Sequence, residues 1–211
     1  MKKNKFIAMC MVMVFVSFMG FLIEGVWMSI TKGFFNNRNM HLPFLIGYGL
    51  GVIIVDLLWG RPQAPHFCGK EFPFKNKILN FALYFIAIFF TVSIAELIMG
   101  HTMEAICGFY WWNYTYLPLH FTRYTSLPTG ILFSTAISVF MGVCYEPLIS
   151  FFEKRINKLV KVIAVGMVII LMCDFAYSTY CMYQMQNRNQ LWKIYIEDII
   201  SITTNYSIIN A

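Results

Sequence analysis

The residues of this chain able to do chemistry are few and oddly placed. Glu24 and Glu96 each interrupt an otherwise apolar run, in "GFLIEGVW" (20–27) and "SIAELIMG" (93–100), and Glu104 follows eight residues after Glu96. An ionised carboxylate near the centre of a bilayer costs roughly 3 kcal/mol, so acids in such runs face protein or a water-filled cavity. Paired carboxylates held out of water can work as general acid and base when burial separates their pKa values, or as charged ligands in a binding pocket. Ser17, Gly20 and Glu24 fall at i, i+3 and i+7, and Ser93, Glu96 and Gly100 repeat that spacing. Read as helices, both runs carry one narrow stripe of small and polar residues.

Arg38 and Arg123 are the arginines within reach of these acids for a buried charge network. His41, His101 and His120 belong to the same side of the molecule, but no HxxxH or HExxH spacing accompanies them. They read as interface-anchoring side chains, and no metal is assigned. There is no Gly-x-Ser-x-Gly, no Cys–His arrangement and no Gly-x-x-x-x-Gly-Lys-[Ser/Thr] loop. No catalytic residue and no cofactor are therefore assigned, and ATP hydrolysis by this chain is excluded. Asp56 and Glu146 lie near the inner ends of their runs and read as structural, and for Asp174, with Tyr177, Ser178 and Cys181 on its face, a structural role and a second polar site both stay open.

The elements that must hold these residues follow from hydropathy. Of 211 residues, 59% are hydrophobic and only 12% charged, with a mean hydropathy of +0.63. Soluble domains carry about 25% charged residues, so much of this surface must face lipid. Five runs, at about 6–30, 42–59, 78–99, 127–149 and 159–183, are long enough for about 30 Å of hydrocarbon. The expected fold class is all-α: a polytopic integral membrane bundle of five transmembrane helices over 1–184, followed by an extracytoplasmic tail over 185–211. The basic residues at 2, 3 and 5 resemble the start of a signal peptide, but the apolar run is long and no small-x-small cleavage site follows, so the first helix is read as retained.

Orientation comes from the basic residues. Lys2, Lys3, Lys5, Arg61, Lys70, Lys75, Lys77, Lys154, Arg155, Lys158 and Lys161 fall on one side, and Lys32, Arg38, Arg123, Arg188 and Lys193 on the other. The N-terminus is expected in the cytoplasm of a multi-pass cell-membrane protein. The net charge of +6 is explained by this bias and by anionic lipid rather than by nucleic acid. On that frame Glu24 and Glu96 each lie about 18 residues, or about 27 Å, above the inner start of their helices. Both acids should then meet near the outer surface. The first three helices should pack together, with Gly47 and Gly51 giving a GxxxG close approach. The loop after residue 60 reads as irregular, "WWNYTYLPLHF" (111–121) as an outer aromatic belt, and the tail as a short interfacial helix or a disordered end. The six cysteines make no CxxC pair and no disulfide framework.

Taken in order, "GFLIEGVW", "GFFNNRNMHLPFLIGYGLG" (33–51), "AELIMGHTMEAICGFYWWNYTYLPLHF" (95–121) and "PTGILFS" (128–134) resemble the bacterial type IV ABC-transporter permease family, over roughly residues 16–150. The resemblance implicates Glu24, Asn37, Arg38, Pro43, Tyr48, Gly49, Glu96, Gly100, Glu104, Trp112 and Tyr114. Departures are Phe21 where the family has tryptophan, Asn39 where it has glycine, Asn113 where it has aspartate, and Thr115 where it has serine. With Asn113 and Arg123 these residues make the expected polar network. A permease of this kind implies a lipid bilayer, a separate ATP-binding subunit as partner and, as a further option, a homo-oligomer. Two other classes stay open beside it: a membrane-embedded enzyme acting on a lipid-linked substrate, and a structural partner of another membrane protein.

Overall fold

The computed structural model describes residues 3–71 and 76–197. The outer part of the expected tail, 198–211 with Asp198, lies outside the described residues, as do Lys2 and Lys75. Six α-helices are present: α1 (Lys3–Lys32), α2 (Ile46–Trp59), α3 (Lys77–Cys107), α4 (Leu127–Val139), α5 (Tyr145–Glu153) and α6 (Lys158–Met185). A π-helical turn, Phe140–Cys144, joins α4 to α5, so that Leu127–Glu153 is one continuous span. The five expected spans are thus five helical rods. Four are long and apolar enough to cross a membrane, and the fifth, α2, is apolar but only 14 residues long. It covers about 21 Å because residues 41–45 before it are bends and non-helical backbone, with Phe44 N donating to Leu42 O at 2.8 Å.

The central rod is α1. More than half of its most apolar window is buried, against less than a quarter in the other three long spans. It packs against α2, α5 and α6, while α3 packs mainly on α4 and less closely on α6 and α2. The expected three-helix packing therefore runs through α2, since α1 and α3 are not among the principal packing pairs. The close approach on α2 is at Gly49 rather than at Gly47 and Gly51: a Cβ at Gly49 would collide with the Met13 carbonyl and the Ser17 hydroxyl, whereas nothing lies within 4 Å of one at Gly51. Ser17 is fully buried and donates to Met13 O at 2.8 Å, and Leu45 N donates to Ser17 O at 2.9 Å, docking the start of α2 onto α1.

The π-turn has a local cause. Pro147 has no N–H and its ring would clash with the carbonyl four residues back, and the wider turn just before it relieves both problems. Gln63 Nε2 donates to the Gly142 carbonyl at 2.7 Å, satisfying a group on that turn. Gln63 belongs to the segment expected to be irregular, which instead forms three short antiparallel strands, β2 (Gly60–Arg61), β3 (Ala64–Phe67) and β4 (Lys70–Glu71). The positive φ of Gly60, Cys68 and Gly69 permits these tight reversals. Arg61 pairs with Glu146 at 2.9 Å, and Tyr84 OH donates to Gly60 O, tying this hairpin to the helices.

At the opposite end, β1 (Phe34–Asn36) pairs antiparallel with β5 (Lys193–Tyr195). The described part of the tail thus folds back as a strand at 193–195 and is helical at Ile196 and Glu197, and the remainder of the expected interfacial helix lies outside the described residues. The tail's anchor is Asn37, 1% exposed, which donates to Met40 O and Asn189 O and accepts from Leu191 N. A buried amide that bonds backbone from two segments fixes both, because each group left unpaired would cost about 1–3 kcal/mol.

Candidate functional site

Three acids of α1 and α3 lie at one end of the bundle, the one expected to be extracytoplasmic, and each is held differently. Gly20 of α1 lies directly beneath the Tyr48 ring, where an added Cβ would come within 2.5 Å of Cγ. That ring position lets Tyr48 OH donate to Glu24 Oε1 at 2.8 Å. Arg38 Nη2 pairs with the other oxygen, Glu24 Oε2, and both side chains keep 26% exposure. Arg38 reaches inward because it and Asn39 take positive φ, 51° and 68°, with Arg38 N donating to Asn36 Oδ1 at 3.1 Å. Asparagine tolerates this region best after glycine, which accounts for Asn39 at a position where the related pattern has glycine.

Glu104 is held by an equivalent set. Gly100, four residues before it, lies beneath the Tyr124 ring. Tyr124 OH donates to Glu104 Oε2, and Arg123 Nη1 donates to Glu104 Oε1 at 2.8 Å. The Arg123 guanidinium also sits 5.0 Å from the centroid of the Tyr110 ring. The expected loop from residue 100 is in fact helix to Cys107. Gly108, at φ 76°, closes α3 with its N–H on Glu104 O, so Glu104 is a helical residue two turns beyond Glu96. Burial and then the neighbouring Glu104 push the Tyr124 phenol up to about 12.

Glu96 has no arginine. Tyr114 OH donates weakly to its Oε1 at 3.4 Å, while Oε2 is enclosed and has no hydrogen-bond partner. Tyr114 links the two clusters: burial raises its phenol, and the next causes are the charges of Glu96 and Glu24. No hydrogen bond among the described residues joins the two carboxylates directly, so Glu24 and Glu96 share an end of the molecule through Tyr114 and Tyr48 rather than by contact. Tyr114 N donates to Arg123 O at 2.8 Å and Trp112 Nε1 to Tyr124 O at 3.0 Å, tying the two arms of the aromatic loop together, and Tyr114, Arg123 and Tyr124 dock it on α3 through Glu96 and Glu104. Asn113 accepts from Thr115 N at 3.0 Å and serves as a turn former at a position where the related pattern has aspartate. Part of the expected belt is outward nonetheless, since Tyr116, Leu119 and Phe121 are strongly exposed.

This order of glutamates, arginines and tyrosines over loops after α1 and α3 agrees with a sequence match. Residues 11–179 match the family described as "Putative ABC-transporter type IV". The chain belongs to this family. The matched stretch takes in most of α6, which the motif resemblance over 16–150 had left outside. No curated protein and no solved structure matches the chain. The family and the apolar helices together make this a membrane protein.

Within the family frame, Gly49 is a packing residue, Pro43 is an exposed residue of the bend before α2, and Asn37 is the loop–tail anchor. Tyr124 and Thr125 were not singled out by sequence reasoning. Tyr124 completes the Glu104 set, and the Thr125 hydroxyl lies beside the Glu96 carboxyl. One signal was available for the former: "GFLIE" and "GHTME" are both Gly-x-x-x-Glu. Asp174 forms the second polar cluster with a partner not foreseen. It accepts from His41 N at 3.2 Å and Leu42 N at 3.4 Å, and His41 Nδ1 lies 2.7 Å from Ser178 Oγ. His101 packs edge-on against Tyr124, and His120 caps Leu117 O. Among the described residues, no three His, Cys, Asp or Glu side chains converge.

Proposed function

We propose that this chain is the membrane-spanning permease component of an ABC transporter, with its N-terminus in the cytoplasm and a polar binding pocket around Glu24 and Glu96 at the extracytoplasmic end. The family match carries the reading. It is supported by the chain of polar side chains from Arg38 and Glu24 through Tyr48 and Tyr114 to Glu96, set at the end of a bundle otherwise built from apolar residues. Preorganised polar groups beside an aromatic-rich loop suit an amphiphilic solute entering from the outer leaflet. Because the sequence holds no nucleotide-binding loop, the energy source is a separate ATP-binding subunit.

Two experiments test this. Isolation of the full chain in mild detergent should bring down an ATP-hydrolysing subunit, whose absence under conditions that keep the chain folded would count against a permease. Replacing Glu24 and Glu96 together by glutamine should abolish solute movement or ATPase stimulation in the reconstituted complex while leaving membrane insertion intact. A lipid-linked substrate turned over by the chain alone would favour the enzyme reading instead.

A further inference from the structure

The three acids at this end differ in what balances their charge. Glu24 has Arg38 and Tyr48, and Glu104 has Arg123 and Tyr124. Around Glu96 the surroundings are oxygen atoms without a cation. Ser93, one turn earlier on the same face of α3, has a buried hydroxyl with no hydrogen-bond partner, and Glu96 Oε2 is in the same state. Thr125 is 2% exposed and its Oγ1 is likewise unpartnered. It comes from the loop before α4, and its hydroxyl is close enough to the Glu96 carboxyl to interact with it, outside ordinary hydrogen-bond distance and angle. The Tyr114 phenol, 3.4 Å away, adds a further oxygen.

We infer that Ser93, Glu96 and Thr125 form a binding site for one small monovalent cation, a proton or Na⁺. The chemistry narrows the ligand. A carboxylate and hydroxyl oxygens suit hard cations, and carboxylates within membrane-spanning segments of pumps and transporters commonly carry protons or line ion pathways. A divalent ion would need more than the single acid present, since Ca²⁺ sites draw six to eight oxygens with several carboxylates among them. An anionic ligand finds no donor charge here, because Arg38 and Arg123 are each engaged by another glutamate. The charged and titratable groups facing the site are Tyr114 directly, Glu24 through Tyr114, and Arg38 beyond Glu24.

The inference rests on reading this end of the bundle as a binding pocket. Its test needs neither solute movement nor the ATP-binding subunit, so its failure is separable from failure of the permease reading. The full chain in lipid nanodiscs would be treated with dicyclohexylcarbodiimide, which modifies protonated carboxyls in apolar surroundings, and the modified peptide identified by mass spectrometry. Glu96 should be the principal site. For a proton site its labelling should fall about tenfold per pH unit above the half-point, independently of Na⁺. For a Na⁺ site, added Na⁺ but not choline should protect it at fixed pH. Thr125→Val, or Ser93→Ala as a second variant, should weaken the Na⁺ protection about tenfold or displace the half-point. Failure of Glu96 to react at any pH, labelling indifferent to both pH and Na⁺, or hydroxyl variants identical to wild type would overturn the site.

Discussion

Glu24 on α1 and Glu104 on α3 are held by the same device in two places. In each, a glycine four residues earlier admits a tyrosine ring, the phenol donates to one carboxylate oxygen, and an arginine takes the other. The supply of partners differs. Tyr48 is on the first turn of α2 and Arg38 on the loop before it, so the Glu24 set ties a helix and a loop to α1. Tyr124 and Arg123 are neighbours in one loop, so the Glu104 set only closes that loop over the end of α3. The first pair is also more enclosed, at 26% exposure for each side chain against 45% and 36%. Identical contacts thus carry different energies, because a charge left without its partner costs in proportion to its burial. Between the two clamps lies Glu96, the acid without one.

Removing the arginine is the strongest way to break the comparison. Arg38→Ala strands Glu24 in a half-buried position and should cost on the order of 2–3 kcal/mol, read as a large fall in the unfolding temperature of the chain in nanodiscs. Arg123→Ala should cost about 0.5 kcal/mol, and equal losses would show that the clamps are equivalent after all. The glycines sharpen the same contrast at smaller scale. Gly20→Ala forces the Tyr48 ring off a packed helix and should cost about 2 kcal/mol. Gly100→Ala displaces Tyr124, whose loop can yield, and should cost less in the same melt.

The fold was legible to the extent that hydropathy writes it. Five apolar runs became five rods, and both small-residue stripes face packed partners, because close helix approach in lipid needs small side chains and nothing local competes with that signal. Where the register of contact matters, periodicity was mute. Gly47 and Gly51 offered the familiar spacing, yet the approach is at Gly49, since the crossing is set by how Leu45 docks on Ser17. The extent of α3 was missed because His101 and Glu104 look like loop residues until Gly108 is recognised as the cap. Among site residues, Glu24 with Arg38 and Tyr48 could be gathered from the resemblance. Thr125 could not, because a lone threonine between Tyr124 and Ser126 carries no spacing signal, and its place beside Glu96 depends on how a 19-residue connection folds back. The pairing of His41 with Asp174 and Ser178 spans more than 130 positions and is invisible to any local reading.

The smallest expected effect is in pH. The Tyr124 phenol is raised to about 12 from an ordinary value near 10. A raised folded-state value means that its contribution is fully present below about pH 10 and is lost as pH rises through about 12. A spectroscopic tyrosine titration of wild type against Tyr124→Phe should therefore lose one late-ionising phenol, with the Glu104 clamp loosening only at that alkaline end.

The claim that two of these three acids are clamps while Glu96 is kept unpaired for a ligand is tested most directly by thermal unfolding of Glu24→Gln and Glu96→Gln in identical nanodiscs. Glu24→Gln should melt well below wild type, because Arg38 loses its counter-charge. Without Na⁺ and at a pH where its carboxyl is ionised, Glu96→Gln should melt at or above wild type, since a neutral amide removes a charge that nothing in the protein compensates. A fall for Glu96→Gln as deep as that for Glu24→Gln would contradict the account.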